Sequence, residues 1–245
     1  MMLKRLGKAV LLGSGILMAA QVCGVYDTGE IYKMNVVYAA ENEPTQNPNY
    51  DQYRARSIEL INDFFETNLA ADSKDVIFKL RVLERKDINA TEKELDERMK
   101  KMAEETGQPI EMIKYKEETF DEIMCFINLY KEDEHGIPDY VVVFNSDTKE
   151  PISISLGRIS DETDKMLAEG KGRDAVVAST DKERYLKLIE KYKLGGISKA
   201  ECYEEENWLM PMIQYRDKQE SNKVVKVCID PATGGLHDLN VIDKK

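Results

Sequence analysis

The apolar positions of the chain change period several times, and each change predicts an element. Ile58, Ile61, Phe65 and Leu69 recur at intervals of three and four, with Leu60 and Phe64 widening the stripe. That spacing lays one greasy face along a helix over about residues 50–70. After Asp72-Ser73-Lys74, the run Val76–Leu83 alternates apolar with polar, as a half-buried strand does. Thr91-Glu92-Lys93-Glu94 has the form of a capping box and predicts a charged helix ending at Gly107-Gln108-Pro109. Thr119-Phe120-Asp121-Glu122 repeats that form ahead of Ile123, Ile127 and Tyr130, predicting a second helix that carries Cys125 and closes at Gly136 and Pro138.

Tyr140–Phe144 and Ile152–Leu156, separated by a polar turn at Asn145–Glu150, read as a hairpin. Ser160 opens a short helix. Thr180-Asp181-Lys182-Glu183 opens a longer one, with Tyr185, Ile189 and Tyr192 on one face and Gly195-Gly196 as its stop. Strands are expected over 197–203, 208–215, 223–229 and 236–242, with turns at 217–222 and 230–235. The last hairpin can be laid beside the earlier one, Asp230 opposite Asn145 and Thr233 opposite Thr148. A helix precedes each hairpin, so the expected fold is α+β, built from two helix-on-antiparallel-sheet modules over 50–158 and 181–245. A connector at 159–180 joins them, and the first module carries a helical insertion. A lone hairpin is marginal in water, and a helix laid on it supplies the missing burial.

The N-terminus alters where this fold is expected to work. Lys4, Arg5 and Lys8 precede 18 uncharged residues, Ala9–Tyr26, and Val37-Tyr38-Ala39 offers a small-residue cleavage site. This is the layout of a secretory signal over residues 1–39, followed by a leader at 40–49. Left uncut, residues 9–26 would tether the chain to a membrane; otherwise no integral membrane role is expected. Cleavage after Ala39 removes four basic and two acidic residues, leaving 31 and 44 and a charge of −13, against −11 for all 245 residues. Such a charge disfavours nucleic acid as a partner.

Export also governs how the cysteines are read. Cys23 leaves with the signal, and Cys202 and Cys228, both in strand-like stretches, are candidates for a bridge. The only histidines are His135 and His237, so Cys/His metal spacing is missing, and no cofactor is expected. A turn centred near Ala232-Thr233 would set His237 across from Cys228, the minimum for a thiol nucleophile and its base. Ser179-x-x-Lys182 lacks the companion motifs of a serine acyl-transfer site and is better explained as a helix start. Glu204-Glu205-Glu206 lacks the alternating oxygen spacing of a calcium loop and reads as a solvated turn. Trp208 and Tyr215 bracket a stretch containing Pro211, which places that strand at an edge or a bulge; the two aromatics either cap the core between helix and sheet or, on an exposed edge, accept an extended peptide.

The helix Asp181–Leu194, followed by strands ending in Val225-Lys226-Val227-Cys228-Ile229-Asp230-Pro231-Ala232-Thr233-Gly234-Gly235-Leu236, resembles the PepSY-type domain of exported bacterial proteins. The resemblance covers about 181–243 and extends, more thinly, to parts of 50–158. There Lys149-Glu150 stand where the turn glycines belong, and Arg85–Pro138 would be an insertion. It implies a cystatin-like helix-on-sheet fold and a non-catalytic role linked to inhibiting or chaperoning peptidases, with no catalytic residue to carry over. The expected function is therefore an exported binding module for a peptidase or another secreted polypeptide. The alternatives are a small thiol hydrolase using Cys228 and His237, or a scaffold subunit of a cell-envelope complex.

Overall fold

The computed structural model describes residues 49–90, 120–129, 138–157, 180–207, 211–219 and 223–243, with isolated positions at 93–101 and 160–166. Residues 1–48, where the signal and leader are expected, most of the 91–119 stretch, His135 and Trp208 lie outside the described residues. Among the described residues, no helix is long and apolar enough to cross a membrane.

The fold is α+β, with one eight-stranded sheet. In chain order it comprises α1 (Tyr50–Phe65), β1 (Val76–Leu83), β2 (Glu122–Leu129), β3 (Tyr140–Asn145), β4 (Pro151–Leu156), α2 (Lys182–Tyr192), β5 (Ala200–Asn207), β6 (Pro211–Asp217), β7 (Lys223–Ile229) and β8 (Leu236–Asp243). Across the sheet the strands run β1-β2-β3-β4-β8-β7-β6-β5, and from β3 to β5 every pairing is antiparallel. Contacts divide the chain into two compact units. The smaller takes in 82–122, where residues 85–90 are helical and the backbone N–H of Arg85 donates to Asp121 Oδ1. Thr91, where a helix cap is expected, lies outside the described residues. The larger unit holds 42–81 and 123–245.

Helices α1 and α2 lie on one sheet face. Leu60, Ile61 and Phe64 of α1 and Tyr185 and Ile189 of α2 share a core with Val142, Phe144, Ile154, Ile213, Tyr215, Val225, Val227 and Leu239. Burying each large side chain stabilises the fold by about 1.5–3 kcal/mol before entropy is counted. Arg184 ties the helices together by donating to the carbonyls of Asp63 and Phe64, while Lys191 and Tyr192 donate to the Asp63 carboxylate. Asp181, one residue beyond the expected Thr180, is the N-cap of α2 and accepts from the Arg184 amide at 3.0 Å. Ser160 caps as expected, its hydroxyl accepting from the Thr163 amide.

Several expectations are corrected. The stretch predicted as a helix around Cys125 is strand β2, with Ile123, Cys125 and Ile127 buried at alternate positions. β2 therefore belongs to the sheet, within the range expected to be an insertion. Glu204–Glu206 do not turn; their backbone continues β5 opposite Gln214, Ile213 and Met212. β6 is no edge strand, since β5 and β7 flank it, and Pro211 is tolerated because it is the strand's first residue.

The two hairpin turns match atom for atom. Asn145 Oδ1 accepts from the amides of Asp147 and Thr148, and Asp230 Oδ1 from those of Ala232 and Thr233. The Thr148 and Thr233 hydroxyls each accept from the amide two residues on. Lys149 and Gly234 both adopt positive φ, 62° and 72°. Where the hairpins meet, Ser153 pairs with Asn240, Ile154 with Leu239 and Ser155 with Asp238. Advancing each first-hairpin residue by the offset between the turns maps this set of pairs onto itself, as across a local two-fold at Ile154/Leu239.

Candidate functional site

The second hairpin carries the chemistry. β7 and β8 pair in strict alternation from Lys223↔Asp243 to Cys228↔Asp238, and then the register slips so that Ile229 meets Leu236. His237 is the extra residue of that bulge, a device that re-aims side chains locally. Val227 and Leu239 point into the core beneath the helices. By alternation, Cys228, Asp238 and Asn240 occupy the opposite face, where Ser153 and Ser155 of β4 are their neighbours.

These groups are buried and connected. Asn240 Nδ2 donates to Asp238 Oδ2 at 2.9 Å, and the Cys228 thiol hydrogen-bonds the same carboxyl. Burial pushes the Asp238 carboxyl above the usual carboxylate range, and the nearby His237 with the Cys228 and Asn240 hydrogen bonds pull the other way. His237 Nδ1, Asp238 Oδ1 and Asn240 Oδ1 are buried with no hydrogen-bond partner. Among the described residues, no three His, Cys, Asp or Glu side chains gather closely enough to hold a metal ion.

The first hairpin repeats this backbone without the chemistry. Its register slips at the equivalent place, between Val143 and Phe144. In the shared turn register, Val143 stands for Cys228, Ile152 for His237, Ser153 for Asp238 and Ser155 for Asn240. A bulged hairpin of this form is thus built here without an ionisable group.

The residues singled out from the sequence fare differently. Cys228 does not face His237: the bulge puts Asp238 opposite it, and a carboxylate beside a thiol opposes the thiolate that nucleophilic catalysis needs. Cys202 and Cys228 are both thiols. They sit on β5 and β7 with β6 between, Cys202 opposite Tyr215 and Cys228 opposite Met212, so two strand spacings and three residues along the strands, together roughly 14 Å, separate them, beyond the reach of a disulfide. Tyr215 is fully buried in the core, its hydroxyl donating to the Lys182 carbonyl at 3.2 Å, so it offers no docking surface. Cys125 is also buried, and burial pushes its thiol up to about 12. Asp238 and Asn240 went unremarked in the sequence. Their signal is the polar set His237, Asp238 and Asn240 among the apolar residues of Leu236–Ile242.

The sheet ends complete the picture. Tyr50 donates to the Phe78 carbonyl at 2.7 Å and Arg54 to the Val76 carbonyl, so α1 staples the rim of β1. At the other end, the Lys218 amide donates to the Lys199 carbonyl, which makes Ala200/Asp217 a non-hydrogen-bonded pair. Ala200 and Cys202 therefore turn their backbone groups away from β6. Glu190 accepts from the Ala200 amide at 2.8 Å, and Cys202 is exposed.

The architecture defines an α+β sheet protein with a stapled rim, an outward-turned rim and a buried polar cluster on the face away from its helices. No family model, curated protein or solved structure matches the chain.

Proposed function

We propose that this chain is an exported, non-catalytic binding module that receives an extended segment of another exported polypeptide along the outer rim of β5. In this reading the helix-then-four-strand order, met twice along the chain, represents two PepSY-like, cystatin-like modules joined at β4 and β8. The partner is a secreted peptidase or a chain such a peptidase handles. The observation that carries the reading is the difference between the two sheet ends: side chains of α1 hydrogen-bond β1 at one end, whereas β5 ends the strand order at the other, with β6 on one side of it. Strand addition draws affinity from main-chain hydrogen bonds along such a rim. A net charge of −11 favours a basic segment and speeds its encounter. The thiol-hydrolase alternative draws less support, because the residue opposite Cys228 is an acid. A scaffold subunit would use the same rim.

A photo-crosslinker attached to Cys202, the exposed thiol beside buried Cys125 and Cys228, tests the assignment. It should capture one partner from the exported proteins of the source cell, at an extended segment. Affinity for that partner should fall at least tenfold in Cys202→Pro, which removes the rim amide, and hold in Cys202→Ala. Equal binding by both variants would refute strand addition. Peptide or ester hydrolysis lost in Cys228→Ala or His237→Ala would refute the non-catalytic reading.

A further inference from the structure

We infer that the side chains of Lys226 and Asn240 join by an amide bond, a self-made cross-link of the second hairpin in which Asp238 carries the proton. The inference concerns the sheet face away from the helices and stands apart from the rim reading. Register brings the parts together. Lys226 on β7 is directly opposite Asn240 on β8, an arrangement that sets the two Cβ atoms about 4.5–5.5 Å apart. The four-carbon stem of a lysine spans that gap, so its amine reaches the carboxamide of its partner. Asp238 already touches that carboxamide, its Oδ2 accepting from Asn240 Nδ2 at 2.9 Å. The same acid lies diagonally across from Lys226, within reach of a long side chain. The first hairpin has Val141, Ser153 and Ser155 where Lys226, Asp238 and Asn240 stand, so all three reacting groups are absent together from a backbone of the same form.

The surroundings favour losing the lysine charge. Lys226 is half-buried, and its neighbours on the same face are more so: Gln214 and Asn240 across the strands are 1% and 3% exposed, Val224 and Cys228 along its own strand 0% and 7%. A cation among such groups costs free energy unless a carboxylate pairs with it. Asp238 Oδ1 has no hydrogen-bond partner, so an ion pair from Lys226 to that oxygen is not made. The amide removes the charge instead. Lys226 Nζ attacks Asn240 Cγ; the Nζ–Cγ bond forms and the Cγ–Nδ2 bond breaks. Nζ gives up two protons, and Nδ2 gains two and departs as ammonium, so atoms and charge balance with no co-reactant. Burial raises the Asp238 carboxyl above the usual carboxylate range, which suits it to pass a proton between the two nitrogens.

The test is mass spectrometry of the purified full chain. The protein should be lighter than the mass of its own sequence by one ammonia. A tryptic digest should give residues 224–244 as one peptide, uncut after Lys226 and closed onto Asn240 in its fragment spectrum. Lys226→Arg and Asn240→Ser should each restore the full mass. Asp238→Asn should slow the joining by roughly a hundredfold, followed in freshly made protein. The threefold variant Lys226→Val, Asp238→Ser, Asn240→Ser copies the first hairpin and so is expected to fold, which circular dichroism checks; it should carry the full mass. Full mass in the unaltered chain, loss of a water in place of an ammonia, or an ammonia loss that survives Lys226→Arg would overturn the inference.

Discussion

Exchanging the residues at the two matched turn positions isolates the cost of left-handed backbone. Lys149 sits at φ 62° and Gly234 at φ 72°, at equivalent points of turns with the same hydrogen bonds. A Cβ built on Gly234 meets nothing within 4 Å, so a side chain there would not collide and the effect is conformational. An L-residue in this region is disfavoured by about 1–2 kcal/mol, and the greater freedom of glycine in the unfolded chain offsets about 0.4–1 kcal/mol of that. Gly234→Lys should therefore destabilise by about 1 kcal/mol. Lys149→Gly should stabilise by a similar or slightly smaller amount. Urea titration followed by circular dichroism would read both as opposite shifts of midpoint at constant slope. A neutral Gly234→Lys, or a Lys149→Gly that loses about 1 kcal/mol, would show that the turns are not equivalent in energy and would remove the basis for aligning the hairpins.

Other outcomes follow from individual contacts. A Cβ on Gly157 would lie 1.8 Å from the Pro138 carbonyl oxygen, so Gly157→Ala should cost at least about 3 kcal/mol, seen as a large fall in unfolding midpoint. Phe64→Ala should cost about 3–5 kcal/mol in the same assay, since the ring is fully buried between helices and sheet. Iodoacetamide should label Cys202 in the native protein and reach Cys125 and Cys228 only after unfolding, by peptide mass mapping. Asp238 and Asp63 should act in opposite senses with pH. The raised Asp238 group contributes stability fully at pH below the ordinary Asp range, and that contribution is lost as pH rises through its folded-state value. Asp63 is held low by its Lys191 and Tyr192 hydrogen bonds, so its contribution is present above the ordinary range and lost as pH falls through the depressed value. Asp238→Asn should remove the first trend and Asp63→Asn the second, in unfolding midpoints measured from pH 3 to 8.

What could be read in the sequence was what local chemistry decides. Val76–Leu83, the Asn145 and Asp230 turns and the last two strands follow from alternation and turn residues, and the structure has them. Glu122–Leu129 was misread because it is apolar at nearly every position, so periods of two and of three to four both fit. Thr119-Phe120-Asp121-Glu122 then tipped the choice toward a cap, and pairing within the sheet decided otherwise. The bulge at His237 was invisible for a different reason. A single unpaired residue shifts register without altering composition, and that shift determines whether Cys228 meets a histidine or an acid. Glu204–Glu206 look like a turn by charge, yet a strand at the end of a sheet accommodates acids that an interior strand would exclude.

The self-matching seam between β4 and β8 also spends two of the borders that strand pairing could use. Each hairpin edge finds its complement in the other, so both are consumed internally. Among the described residues that leaves β1, whose Val76 and Phe78 carbonyls already accept from Arg54 and Tyr50, and β5. On the proposed reading, a guest chain seated on β5 would end the pile of strands on that side.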